Sequence, residues 1–230
     1  MSYYIQLLKY YMPRNYFLRI FQFLFWFLSY YYDEKPTMAK LSVAISDSRA
    51  IMNLFSIFEK VYHIFAKSVF FKNNNKIEKL TYLTYITSFC HIFIHSICFI
   101  VGLCGDNLHF LEKVYNTFYT FTMMINLMIY KIELEELYNI KSKELNKETK
   151  EKKKMINIGV IIIGFNMPLA LNGTGLINKI IGFKLNKPVE GFLGVFASIM
   201  QFYVASTKHL KEIESNYIDK NNKNIKDKFV

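Results

Sequence analysis

Residues 37–71, TMAKLSVAISDSRAIMNLFSIFEKVYHIFAKSVFF, decide the fold. Ser42, Ser46, Arg49, Asn53, Ser56, Lys60, His63 and Lys67 recur at alternating steps of four and three, which draws one continuous line along an α-helix. That line carries the fixed cations Arg49, Lys60 and Lys67 and no acid. The opposite face holds Leu41, Ala44, Ile45, Ile51, Met52, Phe55, Phe58, Tyr62, Phe65 and Val69, a wider apolar surface than most globular helices present, with Glu59 breaking the pattern at its edge. A narrow basic stripe backed by bulky apolar residues is the signature of a helix lying in a membrane plane. A helix of a water-soluble bundle also shows a polar stripe, so the neighbouring segments must separate the two readings.

On the N-terminal side, residues 2–32 are aromatic almost all round, and the apolar run from Ile20 to Tyr32 is about 20 Å long as a helix. A bilayer core is about 30 Å thick, so this segment is expected in the interface, with Arg14 and Arg19 at headgroups and Phe17, Phe21, Leu24 and Leu28 below them. No small-x-small cleavage site follows the run, whose flank is Asp33-Glu34-Lys35-Pro36. On the C-terminal side, Ile86 to Leu103 is free of fixed charge and long enough to cross a bilayer. Thr81, Thr84, Ser88, His91, His95, Cys98 and Gly102 form a line of small or weakly polar residues along the wider apolar stretch Leu80–Leu103, suited to close helix packing in lipid. A mixed helix follows from Asn107 to Tyr138, then the lysine-rich run KSKELNKETKEKKK at 141–154, and the apolar stretches Met155–Leu171 and Gly191–Ser206.

Composition agrees with this pattern. Of 230 residues, 52% are apolar and 17% aromatic, while four prolines and nine glycines supply few tight turns for an all-β fold. The expectation is an all-α membrane protein of long amphipathic interfacial helices plus about two transmembrane helices. One helical membrane domain is expected over 1–206, comprising an amphipathic region 1–72, central helices 80–140 and a hairpin or span 155–206. A basic polar tail, 207–230, would follow it. The net charge of +11 lies beside and between apolar runs, which suits an anionic lipid surface. Aromatics buried in long apolar stretches argue against nucleic acid as the partner.

Lysines in the 141–154 run and in the tail favour the cytosolic side for both, and termini in the cytosol are expected. An even number of crossings must then separate the two, which a hairpin of the last two apolar stretches provides. Ile86–Leu103 would then cross alone, so either that stretch or Met155–Leu171 must only dip into the bilayer. The cysteines Cys90, Cys98 and Cys104 cluster in one apolar stretch and do not form a disulfide framework. His91 and His95 have metal-ligand spacing without an evident third ligand, so packing is the simpler role, and no metal or other cofactor is expected. No catalytic arrangement stands out, and Gly173-Thr174-Gly175 is only a turn signal. Gly194 and Ser198 make a small-x-x-x-small pair, with Gly191 on the same face, at which copies of the chain are expected to meet.

Four stretches, in order, resemble the peroxin-11 family of peroxisomal membrane proteins. Residues 13–23, PRNYFLRIFQF, keep Arg14, Arg19 and Gln22 of a Gly-Arg-Asp-Lys…Arg…Gln-Tyr segment and depart at Pro13, Asn15 and Tyr16. Residues 41–55 keep Ser48-Arg49 and depart at Ala50, Asn53 and Phe55. Phe165-Asn166-Met167-Pro168 is similar to a Phe-Asp-x-Pro stretch, with Asn166 in place of the acid. Residues 191–198, GFLGVFAS, are similar to a closing Gly-x-x-Gly-x-x-Ser-Ser span. The resemblance implies a non-enzymatic protein of the peroxisomal membrane that elongates and divides the organelle, with amphipathic helices in the cytosolic leaflet. It also implies self-association and contact with a dynamin-related GTPase and its adaptors. A small-metabolite channel or carrier is the main alternative, with His91, His95, Asn166 and Pro168 as path-lining candidates.

Overall fold

The computed structural model describes residues 11–30, 35–67, 75–102, 109–139, 147–180, 182 and 184–226. They form helices α1 (Tyr11–Leu28), α2 (Lys35–Lys67), α3 (Lys76–Gly102), α4 (His109–Asn139), α5 (Lys147–Thr174), the short α6 (Leu176–Ile180) and α7 (Lys187–Lys226). No strand occurs among the described residues.

The ends of these helices follow from local chemistry. Asn75 caps α3, its side-chain oxygen accepting from the Ile77 amide at 2.9 Å. Gly175, at φ 69, turns the chain out of α5, a left-handed conformation that costs glycine nothing. Along α3 and α4 the hydroxyls of Thr81, Thr87, Ser96, Thr117 and Thr120 donate to carbonyls four residues back at 2.8–3.0 Å. Polar side chains satisfied inside their own helix enter an apolar medium at little cost.

Each long helix packs against its chain neighbours, and α1 packs against α7, so six helices close into a ring in the order α1, α2, α3, α4, α5, α7. Neighbours run antiparallel. Asn15 and Gln22 of α1 meet Arg49 and Ser42 of α2. Thr87 and His91 of α3 meet Thr122 and Tyr119 of α4. Phe165 and Asn172 of α5 meet Phe196 and Glu190 of α7. Phe17 and Arg19 of α1 meet Phe202 and Gln201 of α7. The start of α1, the lysine-rich start of α5 and Lys208 of α7 therefore lie at one end of the ring.

Three helices are long and apolar enough to cross a membrane, Lys76–Gly102, Glu148–Thr174 and Lys187–Leu210, and a bent pair within α2, Pro36–Leu54 and Ser56–Tyr62, raises this to four. All three apolar stretches read from the sequence thus lie on such helices, one more than the two expected. α4 returns alongside α3 and is not among these candidate spans.

Burial is inverted relative to a water-soluble bundle. Among the described residues, buried polar side chains outnumber buried apolar ones, while Phe93, Phe121, Met124, Ile161, Phe192 and Tyr203 are exposed. Apolar residues turned outward and polar ones inward suit a hydrocarbon surround. A small apolar cluster of Met123, Ile163 and Ala170, with Tyr119, Leu127, Tyr130 and Met167 against it, joins α4 to α5.

Candidate functional site: a polar seam and an exposed aromatic face

Arg19 lies midway along α1, and its two terminal nitrogens donate to Gln201 Oε1 and Asn166 Oδ1, each at 2.9 Å. Asn166 is only 1% exposed and passes the chain on, its amide donating to the Ile162 carbonyl at 2.9 Å. One guanidinium thereby ties α1 to α5 and α7. Its planar fork suits this, because two donors reach two acceptors in fixed directions. The guanidinium also lies 5.4 Å from the Phe23 ring centre, a cation–π contact.

Arg49 of α2 repeats the arrangement one interface away. Its Nε donates to Asn15 Oδ1 at 2.9 Å and its Nη1 to Gln22 Oε1, while the Ser42 hydroxyl donates to the Gln22 carbonyl at 2.9 Å. The first half of the α2 stripe, Ser42, Arg49, Asn53 and Ser56, thus faces inward, with Ser42, Asn53 and Ser56 buried.

Beyond the bend, which measures 41° between Leu54 and Ser56, α2 changes character. Phe58, Tyr62 and Phe65 share one face and are 77%, 69% and 74% exposed. Lys60, on the opposite stripe, is half-buried, and the side chains of Phe55, His63 and Lys67 fall outside the described set. Of the other residues expected in the membrane, Leu41 and Phe21 are exposed and Phe17, Ile45 and Met52 half-buried. Arg14 is exposed.

Gly191, Gly194 and Ser198 are buried on the face of α7 that meets α1. A methyl group added at Gly194 would enter the Phe23 ring, and one at Gly191 would stand 2.9 Å from Phe27 Cβ. Ser198 donates to the Gly194 carbonyl at 2.6 Å. The close approach that these small residues allow is used within the chain, by α1.

Histidines 91 and 95 sit in the α3–α4 seam. His91 stacks on Tyr119 at 4.8 Å and His95 stands edge-on to Tyr115 at 5.1 Å. No group of three or more metal-ligating side chains occurs among the described residues.

The segments that carried the family resemblance meet around α1 in two networks, Arg19 of the first with Asn166 of the third and Gln22 of the first with Arg49 of the second, while Gly194 of the fourth lies against Phe23. Gln201, Asn15 and the paired role of Asn166 were not anticipated as site residues. The available signal was a lone amide within an apolar run, the usual mark of a functional polar group inside a membrane.

Fold and seam together define a multi-helix membrane protein with a polar interior and an apolar exterior. The family model for peroxisomal biogenesis factor 11 matches residues 1–205. The chain belongs to that family, which assigns it to peroxisome biogenesis and to the peroxisomal membrane. No curated protein and no solved structure matches it.

Proposed function

We propose that the protein elongates the peroxisomal membrane by inserting the second half of α2 into the cytosolic leaflet, and so promotes proliferation and fission of the organelle. The observation that carries this reading is the exposed face of Phe58, Tyr62 and Phe65 on a segment bent away from the first half of the helix. Large side chains buried in one leaflet expand that leaflet alone, and curvature follows when copies gather. Lys60, with His63 and Lys67 on the same stripe, and Arg14 near the start of α1, supply the headgroup contacts. Arg19 and Arg49 serve instead to hold α1 and α2 on the ring.

Self-association through Gly191, Gly194 and Ser198 then proceeds by exchange of α1 between copies, since α1 of the same chain already occupies that face. Cytosolic placement of the lysine-rich end follows the positive-inside tendency. The tubule so formed is offered to a dynamin-related GTPase and its adaptors, as the family resemblance implies. The full chain reconstituted into liposomes containing anionic lipid should draw tubules as protein density rises. Smooth spherical vesicles at every density would refute the reading.

A second reading, solute passage, is favoured by one feature. A half-open cavity of about 660 Å³ is lined from α1, α3, α4, α5 and α7. Conductance of the full chain in planar bilayers tests it.

A further inference from the structure

The cavity runs from the lysine-rich end of the ring to the Arg19 network. At its mouth stand Lys152, whose Nζ is 3.3 Å from Glu133 Oε1, and Lys208, which is exposed. From Lys152 to Asn166 along α5 is about 21 Å of helix. At the floor lie the amides of Asn166 and Gln201, both of which line the cavity and both of which accept from Arg19. Among the described residues no carboxylate stands within ion-pair distance of Arg19. Among the described residues lining the cavity, Glu133 pairs with Lys152 and leaves Lys208 as the further fixed cation, with Arg19 one layer behind the floor amides. A half-buried guanidinium held by neutral amides leaves a positive field in the space beyond those amides.

The walls narrow the chemistry. Thr122, Asn126 and Tyr130 offer hydroxyl and amide groups on one side, and Ile156 and Ile163 offer methyl groups on the other. The volume falls in the range of small-ligand sites. A long acyl chain would have to cover the floor amides with hydrocarbon and strand their polar groups, which disfavours a fatty acid.

We propose that this cavity is a binding site for a small polar organic anion, a carboxylate of a few carbons, entering between Lys152 and Lys208. The carboxylate sits in the field of Arg19 with Asn126 and Tyr130 as donors, and its carbon skeleton lies along Ile156 and Ile163. The proposal deepens the solute reading and rests on it for the cavity being open to water at the basic end.

The test uses the full chain in liposomes, with Cys90, Cys98 and Cys104 replaced by alanine and Ala205→Cys as a reporter on the cavity wall. Ala205→Cys should react about tenfold faster with an anionic methanethiosulfonate than with a cationic one, after correction for their reactivity toward a free thiol. Millimolar succinate should slow that reaction, and Lys208→Glu, an exposed change, should remove the charge preference. Circular dichroism on both variants checks that the helices are intact, and Lys152→Gln provides a second, milder loss of charge.

A faster cationic reagent, no reaction with either reagent, or protection by palmitate but not by succinate would each overturn the site. Conductance without charge preference or succinate protection upholds passage and rejects the site. Succinate protection without conductance upholds the site and rejects passage.

Discussion

The α1–α7 seam and the second half of α2 are built from the same kinds of residue and do opposite things. Both alternate cations with large aromatics at helical spacing. In the seam, Gly191 and Gly194 let a partner backbone come close, so Phe23 and Phe27 fill the space and Arg19 spends its donors on Gln201 and Asn166. In α2 beyond Leu54, Phe58, Tyr62 and Phe65 turn outward. The difference teaches that charge and aromatic periodicity fix a helix face but not its destination. Small residues on a neighbouring helix decide whether the face is covered.

The largest expected effect comes from stripping the exposed face. Replacing Phe58, Tyr62 and Phe65 together by serine removes about 5 kcal/mol of insertion energy, taking about 1.5–3 kcal/mol for each large side chain buried. Liposome tubulation by the full chain should be lost, while thermal unfolding in detergent stays where it was. A large fall in unfolding temperature would show that these rings pack against the ring of helices, and the contrast between the two regions would fail.

Gly194→Leu is the mirror experiment and ranks next. Four extra carbons must enter space held by Phe23, an overpacking that costs about 3 kcal/mol. Unfolding in detergent should fall by about 10 °C. If the glycine face served only contacts between separately closed copies, cross-linked oligomers would decline with no change in unfolding temperature.

Asn166→Leu tests the polar half of the seam. It removes an acceptor from a guanidinium and should cost about 2 kcal/mol, about 6 °C in unfolding temperature. Asn166→Asp should retain or raise stability, because a carboxylate at the same place pairs with Arg19. Equal losses in both variants would mean that the side chain matters for its shape and not for its bond to Arg19.

The helices themselves were legible because a 3.6-residue period is a local property. Residues 37–71 announced α2, and the three apolar stretches announced α3, α5 and α7. The course of α4 was harder to see, since Asn116, Thr117, Thr120, Thr122 and Asn126 dilute its hydropathy although its threonine hydroxyls bond to carbonyls one turn back. The seam was hidden for another reason. Arg19 and Asn166 are 147 residues apart, and nothing in either segment says that one will accept from the other. A polar stripe looks the same whether it will meet headgroups or amides, which is why Arg19 and Arg49 read as lipid contacts from the sequence.

The smallest effect separates the two kinds of cation directly. On the proposed insertion, Lys60→Gln removes a charge near an anionic surface, worth about 1 kcal/mol, so about fivefold more protein should be needed for tubulation of anionic vesicles. Salt should erase that difference, because a charge at the membrane surface is screened within about 8 Å at physiological ionic strength. Arg19→Gln removes a charge of the same sign whose donors are held by Gln201 and Asn166, bonds that salt does not break. Its effect should appear in unfolding temperature and persist at high salt. Should the Arg19 variant instead respond to salt as the Lys60 variant does, the guanidinium spends its time at headgroups and the ring closes by some other bond.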